Sequence, residues 1–215
     1  MSQPFALIAG SGGVLGDALA RQFSAAGYRV AGLRRADCNF ADNAAVSRTI
    51  AALQEKHGPA EVLLYNAGHL AVAPFLEQDP AAFDACWHAG PAGAANCARA
   101  LLPGMVQRGR GVMIFTGATA SLRGSAKFAA MAVGKFGLRG LTQALAREFQ
   151  PKGVHIAHVL LDGMLRGSAS VERFGNAGTQ TMEPDDVAAA YRWIAEQPRS
   201  AWTQELDLRT TAEKF

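Results

Sequence analysis

The sequence predicts an α/β fold, a doubly wound parallel β-sheet in a single domain, with helices on both faces. Three observations predict it. Short apolar runs alternate with longer stretches of helical period along the chain. A glycine-rich turn joins the first apolar run to the first helical stretch. The composition, 49% apolar and 18% charged with 23 glycines in 215 residues, suits one tightly packed domain spanning 1–215.

The elements can be justified in order. "FALIAG" (5–10) reads as a buried strand, and Leu15, Ala18, Leu19 and Phe23 share one face of the helix after it. "YRVAGL" (28–33) is the next strand. Val46, Ile50 and Leu53 mark a helix, and "EVLLY" (61–65) a third strand. A long helical region covers 80–108, interrupted at Gly90-Pro91, where proline removes a backbone N–H and kinks a helix. "GVMIFTG" (111–117), a helix over about 125–149 and "VHIAHVLL" (154–161) come next. "EPDDVAAAYRWIAEQP" (183–198) opens with acidic residues and proline, as helices do, and "WTQELDL" (202–208) is the last strand. Only a few residues separate Arg35 from Asn39, too few for a parallel crossover, so one strand–helix unit is expected to be reduced or missing. The small and polar residues of 164–182 read as a flexible lid.

Composition excludes several classes. The net charge is +3, and no basic run exceeds Arg34-Arg35, so there is no footprint for nucleic acid or an anionic membrane surface. No apolar run reaches the length of a membrane span. Cys38, Cys86 and Cys97 lack metal-ligand spacing, and the five histidines show none on a helix; no metal site is expected. The odd number of cysteines suits reduced thiols in a cytoplasmic protein, and the N-terminus shows no basic leader region.

"GSGGVLG" (10–16) comes directly after the first strand and opens the first helix. Its glycines allow a tight turn and close approach of backbone to a pyrophosphate, whose charge the helix N-terminus favours. The end of the second strand reads the adenosine ribose in such folds. Arg34-Arg35 there suits a 2′-phosphate and hence NADP, while Asp37 leaves NAD open. A plain tight connection remains the alternative.

These residues resemble the short-chain dehydrogenase/reductase family over nearly the whole chain. "AGSGGVLG" (9–16) is similar to its TGxxxGxG, with Val14 at the middle glycine. "YNAG" (65–68) is similar to NNAG, with Tyr65 for the first Asn, and "CNF" (38–40) puts Asn39 at the adenine-contacting acid. "KFGLRGLTQALARE" (135–148) and "PKGVHIAHVLLDG" (151–163) resemble the stretch that begins at the family's catalytic lysine, with Asp162-Gly163 at its PG turn. The resemblance implies a Rossmann-like dinucleotide fold and an oxidoreductase acting on a small carbonyl or alcohol substrate. The implied cofactor residues are Gly10, Ser11, Gly13, Leu15, Gly16, Arg34, Arg35, Asn39, Phe40, Asn66, Ala67, Gly68, Lys135 and Gly163. It also implies homodimers or homotetramers built through helices 91–108 and 125–149.

The implied catalytic positions are depleted. YxxxK becomes Met131-Ala-Val-Gly-Lys135, the serine falls on Ala118, and the helix asparagine falls on Gly90. Only Lys135 matches, in a position that also holds the nicotinamide ribose; snorkelling or a structural ion pair is its bland alternative. A thioether has no proton to give, so general acid catalysis worth roughly 10²–10⁴ in rate is missing. Thr116 or Thr119 could replace the serine hydroxyl if the turn is shifted. The enoyl-reductase spacing falls on Phe128 and supplies no acid. Asp162 is the remaining catalytic candidate, since a carboxyl near an apolar pocket can hold a proton; it could equally cap a turn or pair with Lys135. Tyr65 reads as a packing residue. Two functions stay open: an oxidoreductase with a replaced proton donor, or a non-catalytic cofactor-binding or oligomeric scaffold of the same fold.

Overall fold

Alternation along β1 (Phe5–Ala9) sends Phe5, Leu7 and Ala9 to one face of the sheet and Ala6 and Ile8 to the other, and all five are buried. A strand buried on both faces belongs inside a layered sheet. The computed structural model, which describes residues 3–212, places it there. β2 (Arg29–Leu33), β1, β3 (Ala60–Tyr65), β4 (Gly111–Thr116), β5 (Val154–Asp162) and β8 (Glu205–Arg209) lie in that order, every pair parallel.

Helices α1 (Gly13–Ala25) and α7 (Pro184–Ala195) cover one face; α2 (Asn43–His57), α4 (Gly93–Arg108) and α5 (Ala129–Phe149) cover the other. Leu19 and Phe23 of α1 are fully buried beside Val187, Tyr191 and Ile194 of α7. Each such large side chain contributes roughly 1.5–3 kcal/mol relative to exposure. The predicted doubly wound, single-domain fold is thus the observed one.

Between β2 and α2 the chain makes turns and no strand. The Asp37 carboxylate accepts the Arg34 backbone N–H at 2.7 Å, and Asp42 caps α2 by accepting from Ala44 and Ala45. One strand–helix unit is therefore missing, as the short spacing implies.

The interrupted helix is also present. α3 (Pro80–Trp87) is capped by Asp79, then five residues form a wide turn in which Gly90 leaves helical geometry (φ −92°, ψ −113°), and α4 comes after it. The Tyr65 hydroxyl donates to the Ala89 carbonyl at 2.9 Å, satisfying a group that the kink exposes. A Cβ on Gly90 would lie 3.2 Å from the Gly134 carbonyl of α5, so this crossing is close because neither residue has a side chain.

Three boundaries differ from the sequence reading. α5 starts at Ala129 rather than near 125, because Lys127 takes a left-handed conformation (φ +71°) that no helix continues. α7 stops at Ala195, ahead of Pro198, and β8 starts only at Glu205. Trp202 and Thr203 instead bond to Gln197. Segment 164–182 holds a two-residue parallel pairing of β6 (Met164–Leu165) with β7 (Thr181–Met182), and the short helix α6 (Ala169–Phe174) between them.

Candidate active site

The carboxyl ends of the parallel strands converge on two cavities. The first, of about 650 Å³, lies over β1 and β3. The glycine turn shapes its floor. The Gly10 and Ser11 N–H groups donate to the Leu33 carbonyl at 2.8 and 3.0 Å, and Asn66 Nδ2 donates to the Gly10 carbonyl at 2.9 Å. Gly10 has φ +88°, and a Cβ there would sit 2.4 Å from the Ala67 nitrogen, so only glycine closes this crossing. The helix cap is Gly12, which offers no capping side chain, leaving the N-terminal dipole of α1 facing the cavity mouth.

Gly10, Arg34, Arg35 and Asn39 line this cavity, with Phe40, Asn66, Ala67 and Gly68. Eight of the sequence-derived residues therefore meet in one place. Ser11 and Gly16 lie instead in a smaller depression of about 410 Å³, next to Arg34 and Asp37. Leu15 sits in the first turn of α1 with its side chain buried in the core between α1 and the sheet, which leaves its backbone as the part near the glycine turn. Gly13 opens α1, with nothing within 4 Å of where its Cβ would be. His69 and His88 also line the first cavity, and no motif pointed to them.

The second cavity, of about 460 Å³, lies between the ends of β4 and β5 and segment 164–182. Phe128, Met131, Leu161, Met164 and Phe174 make it apolar, and Ala118, Thr119, Asp162 and Gly163 line it too. Both lost hydroxyl positions, Ala118 and Met131, are thus on its wall. Met131 also packs beside Cys86 and Ala130.

Lys135 lies between the two. Its Nζ donates to the Thr116 carbonyl at 2.7 Å, and a Cβ on Gly68 would be 3.6 Å from it. Burial pulls its pKa from the usual 10.5 down to about 8, with a smaller opposing effect from Cys86. Asp162 does not pair with Lys135. Its carboxylate takes Arg209 Nη1 at 3.1 Å on one oxygen and the Thr119 hydroxyl on the other. Both oxygens are thus engaged, one by a guanidinium and one by a hydroxyl. Of the two threonines, Thr116 faces away. Its hydroxyl accepts from the Tyr191 O–H at 2.9 Å inside the α7 layer. Tyr65 is fully buried, packed beside Phe40 and Phe115.

Behind Ala118 runs a hydrogen-bonded line that no motif announced. The Ala118 N–H donates to Ser121 Oγ at 3.2 Å, and Ser121 Oγ lies 3.4 Å from His158 Nε2. His158 Nδ1 is 3.1 Å from Glu205 Oε2, and Arg139 clasps both Glu205 oxygens at 2.7 Å. Burial above all lowers the His158 pKa to about 4, against the attraction of Glu205, so its ring is neutral and donates from Nδ1. Ser121 and His158 are wholly buried. The line therefore fixes the turn carrying Ala118 and Thr119 and makes no nucleophile reachable by a ligand. The signal is the parallel register that sets His158 opposite Glu205, visible only once β5 and β8 are paired.

Among the described residues no three His, Cys, Asp or Glu side chains gather as a metal site requires, and no helix is long and apolar enough to cross a membrane.

Comparison with known proteins agrees with this layout. The short chain dehydrogenase family model matches residues 32–165. The 3-oxoacyl-[acyl-carrier-protein] reductase MabA of Mycobacterium tuberculosis is 31% identical over 169 residues, covering 74% of this chain and 68% of the relative. A 3alpha-hydroxysteroid dehydrogenase of Mediterraneibacter gnavus is 25% identical over 177 residues, covering 77% of this chain and 69% of that protein. A short-chain dehydrogenase structure from Rhodopseudomonas palustris superposes with a TM-score of 0.81 at 30% identity, over 96% of this chain and 98% of that one. A serine dehydrogenase complexed with NADP+ has a TM-score of 0.88 over 98% of this chain and 96% of that one; at 19% identity it shows the fold alone.

Proposed function

The chain belongs to the short-chain dehydrogenase family, and on that premise we propose that it binds NADP(H) in the first cavity and acts as an oxidoreductase on a small carbonyl or alcohol substrate in the second. One observation carries the cofactor assignment: Arg34 and Arg35 line the cavity that the glycine turn opens into. Two guanidiniums at that place match a 2′-phosphate, and Asp37, the NAD-type alternative, is committed to the Arg34 backbone.

The residues present fit the group. Gly10 and Gly13 with the uncapped start of α1 would hold the pyrophosphate, Asn39 and Phe40 the adenine end, Asn66 to Gly68 the central wall. Lys135 and Gly163 would stand at the nicotinamide end. The nicotinamide supplies hydride chemistry when bound. Lys135 brings a cation to the ribose side, and the apolar second cavity keeps water from the substrate. Segment 164–182 acts as the lid over that cavity. We place Asp162 in a positioning role, orienting Thr119.

A second reading, a cofactor-holding protein without turnover, is favoured by Met131 and Ala118 on the cavity wall, which put no proton donor at the family's two hydroxyl positions. Fluorescence titration with NADPH and with NADH tests both readings. NADPH should bind about tenfold more tightly than NADH, and the Arg34→Ala/Arg35→Ala variant should remove that preference. Binding with no reduction or oxidation across a substrate screen would favour the second reading. No binding of either nucleotide at millimolar concentration would sink both.

Self-association fits the exposed apolar residues Trp87 of α3 and Val133 and Phe136 of α5, which stand 48%, 51% and 45% exposed. The assembly is a homodimer or homotetramer through this face, in a cytoplasmic protein whose cysteines are all unpaired and buried. Sedimentation should give a dimer or larger species, and Phe136→Glu should yield monomer. A wild-type monomer at micromolar concentration would rule the assembly out.

A further inference from the structure

We propose that the polar end of the second cavity selects ligands bearing a hydroxyl over those bearing a carbonyl, with Thr119 as the hydrogen-bond acceptor. The inference rests on the assignment of that cavity as the substrate site. It comes from counting protons. A hydroxyl carries one proton and two lone pairs, and an ionised carboxylate carries lone pairs only. The proton between Thr119 and Asp162 is therefore the threonine's, and it points at Asp162, whose other oxygen is held by Arg209. What Thr119 has left for the cavity it lines is lone pairs.

Its neighbours do not reverse this. Ala118 and Met131 stand on the same wall and carry no polar hydrogen on their side chains. A carbonyl oxygen brought to this end meets lone pairs and loses its hydration without replacement, while an alcohol O–H finds an acceptor. The carboxylate behind Thr119 strengthens that acceptor, because a hydroxyl that donates to an anion becomes a better acceptor itself. The rest of the wall, Phe128, Met131, Leu161, Met164 and Phe174, asks for an apolar body. The ligand class is a compact apolar alcohol. Arg123 and Gln180, with N–H donors, and Ser125, Ser170, Thr179 and Thr210, with hydroxyls, also line the cavity away from Thr119, and a carbonyl ligand would have to use one of these.

A matched pair of probes separates these cases: trans-2-decalol and trans-2-decalone, titrated calorimetrically into the full-length protein with and without NADP+. The alcohol should bind at least about tenfold more tightly, as expected where a buried acceptor is left unpaired by the analogue. Thr119→Val should lower alcohol affinity about tenfold and leave ketone affinity unchanged, since it removes the acceptor and keeps Arg123 and Gln180. Thr119→Ser, which retains the hydroxyl, should keep the preference and guards against a folding defect in the valine variant. Equal or tighter ketone binding, or a preference that survives Thr119→Val, overturns the inference and leaves the cavity as the substrate site. Binding of neither probe overturns the inference and the cavity assignment together.

Discussion

Gly117→Ala should cost about 3 kcal/mol, the upper end of what overpacking a core exacts, and lower the urea midpoint accordingly. A Cβ at this position would lie 2.3 Å from His158 Nε2 and 2.9 Å from Ser121 Oγ. Neither atom is the loose end of a flexible side chain. His158 is tied through Nδ1 to Glu205, which Arg139 grips with two bonds, and Ser121 is tied to the Ala118 N–H. The methyl group must push the imidazole off its partner or deform the turn. A double-mutant cycle with His158→Ala gives a second check, because removing the imidazole makes room for the methyl. The two changes together should cost clearly less than their sum. A midpoint unchanged by Gly117→Ala would mean that the line yields easily and does not fix the turn.

Acid should destabilise the protein well above the pH at which carboxylates protonate. His158 has a pKa of about 4 when folded against an ordinary value of 6.5, so between those values the unfolded chain binds a proton that the folded one refuses. Stability from this group is complete above pH 6.5 and falls away as the pH drops toward 4, by about 3 kcal/mol in all. His155, also lowered by burial, adds to the same slope. Glu205, held below its usual range chiefly by Arg139, works in the same direction at still lower pH. Urea unfolding at pH 7.5, 6.0, 5.0 and 4.5 reads the loss directly. The slope should at least halve in His158→Gln, and a wild-type protein equally stable at pH 7.5 and 4.5 would refute the account.

Much of the fold is legible in the sequence because it rests on local pattern. The buried β1, the amphipathic face of α1 and the break at Gly90-Pro91 are carried by neighbours in sequence, and so is the missing strand after Arg35. The first cavity is legible for the same reason, since a glycine turn and a strand end sit at fixed places in a doubly wound sheet. Legibility stops where chemistry depends on distant partners. Asp162 reads as a proton-holding carboxyl, a turn cap or a partner of Lys135 until β8 brings Arg209 to it. Thr116 and Thr119 read as interchangeable, yet one hydroxyl turns to Tyr191 and the other to Asp162. Leu15 belongs to a cofactor motif by position, but its apolar side chain goes to the core. The start of α5 lies about four residues beyond the sequence reading because the left-handed turn at Lys127 carries no glycine to announce it.

The missing strand–helix unit has a cost in colloidal terms. It leaves β2 on the margin of the sheet, with hydrogen-bonding groups along one side that no other strand among the described residues takes up. Such a margin is a template on which another molecule's chain can add a strand and seed aggregation. β2 is poorly suited to that role: it is five residues long, starts at the charged, exposed Arg29 and carries the exposed Gly32 near its end. The same Leu33 whose carbonyl holds the glycine turn ends the strand, and the chain then swings into the arginine turn beside it. The residues that shape the nucleotide cavity thereby also cut short the surface on which a foreign strand could grow.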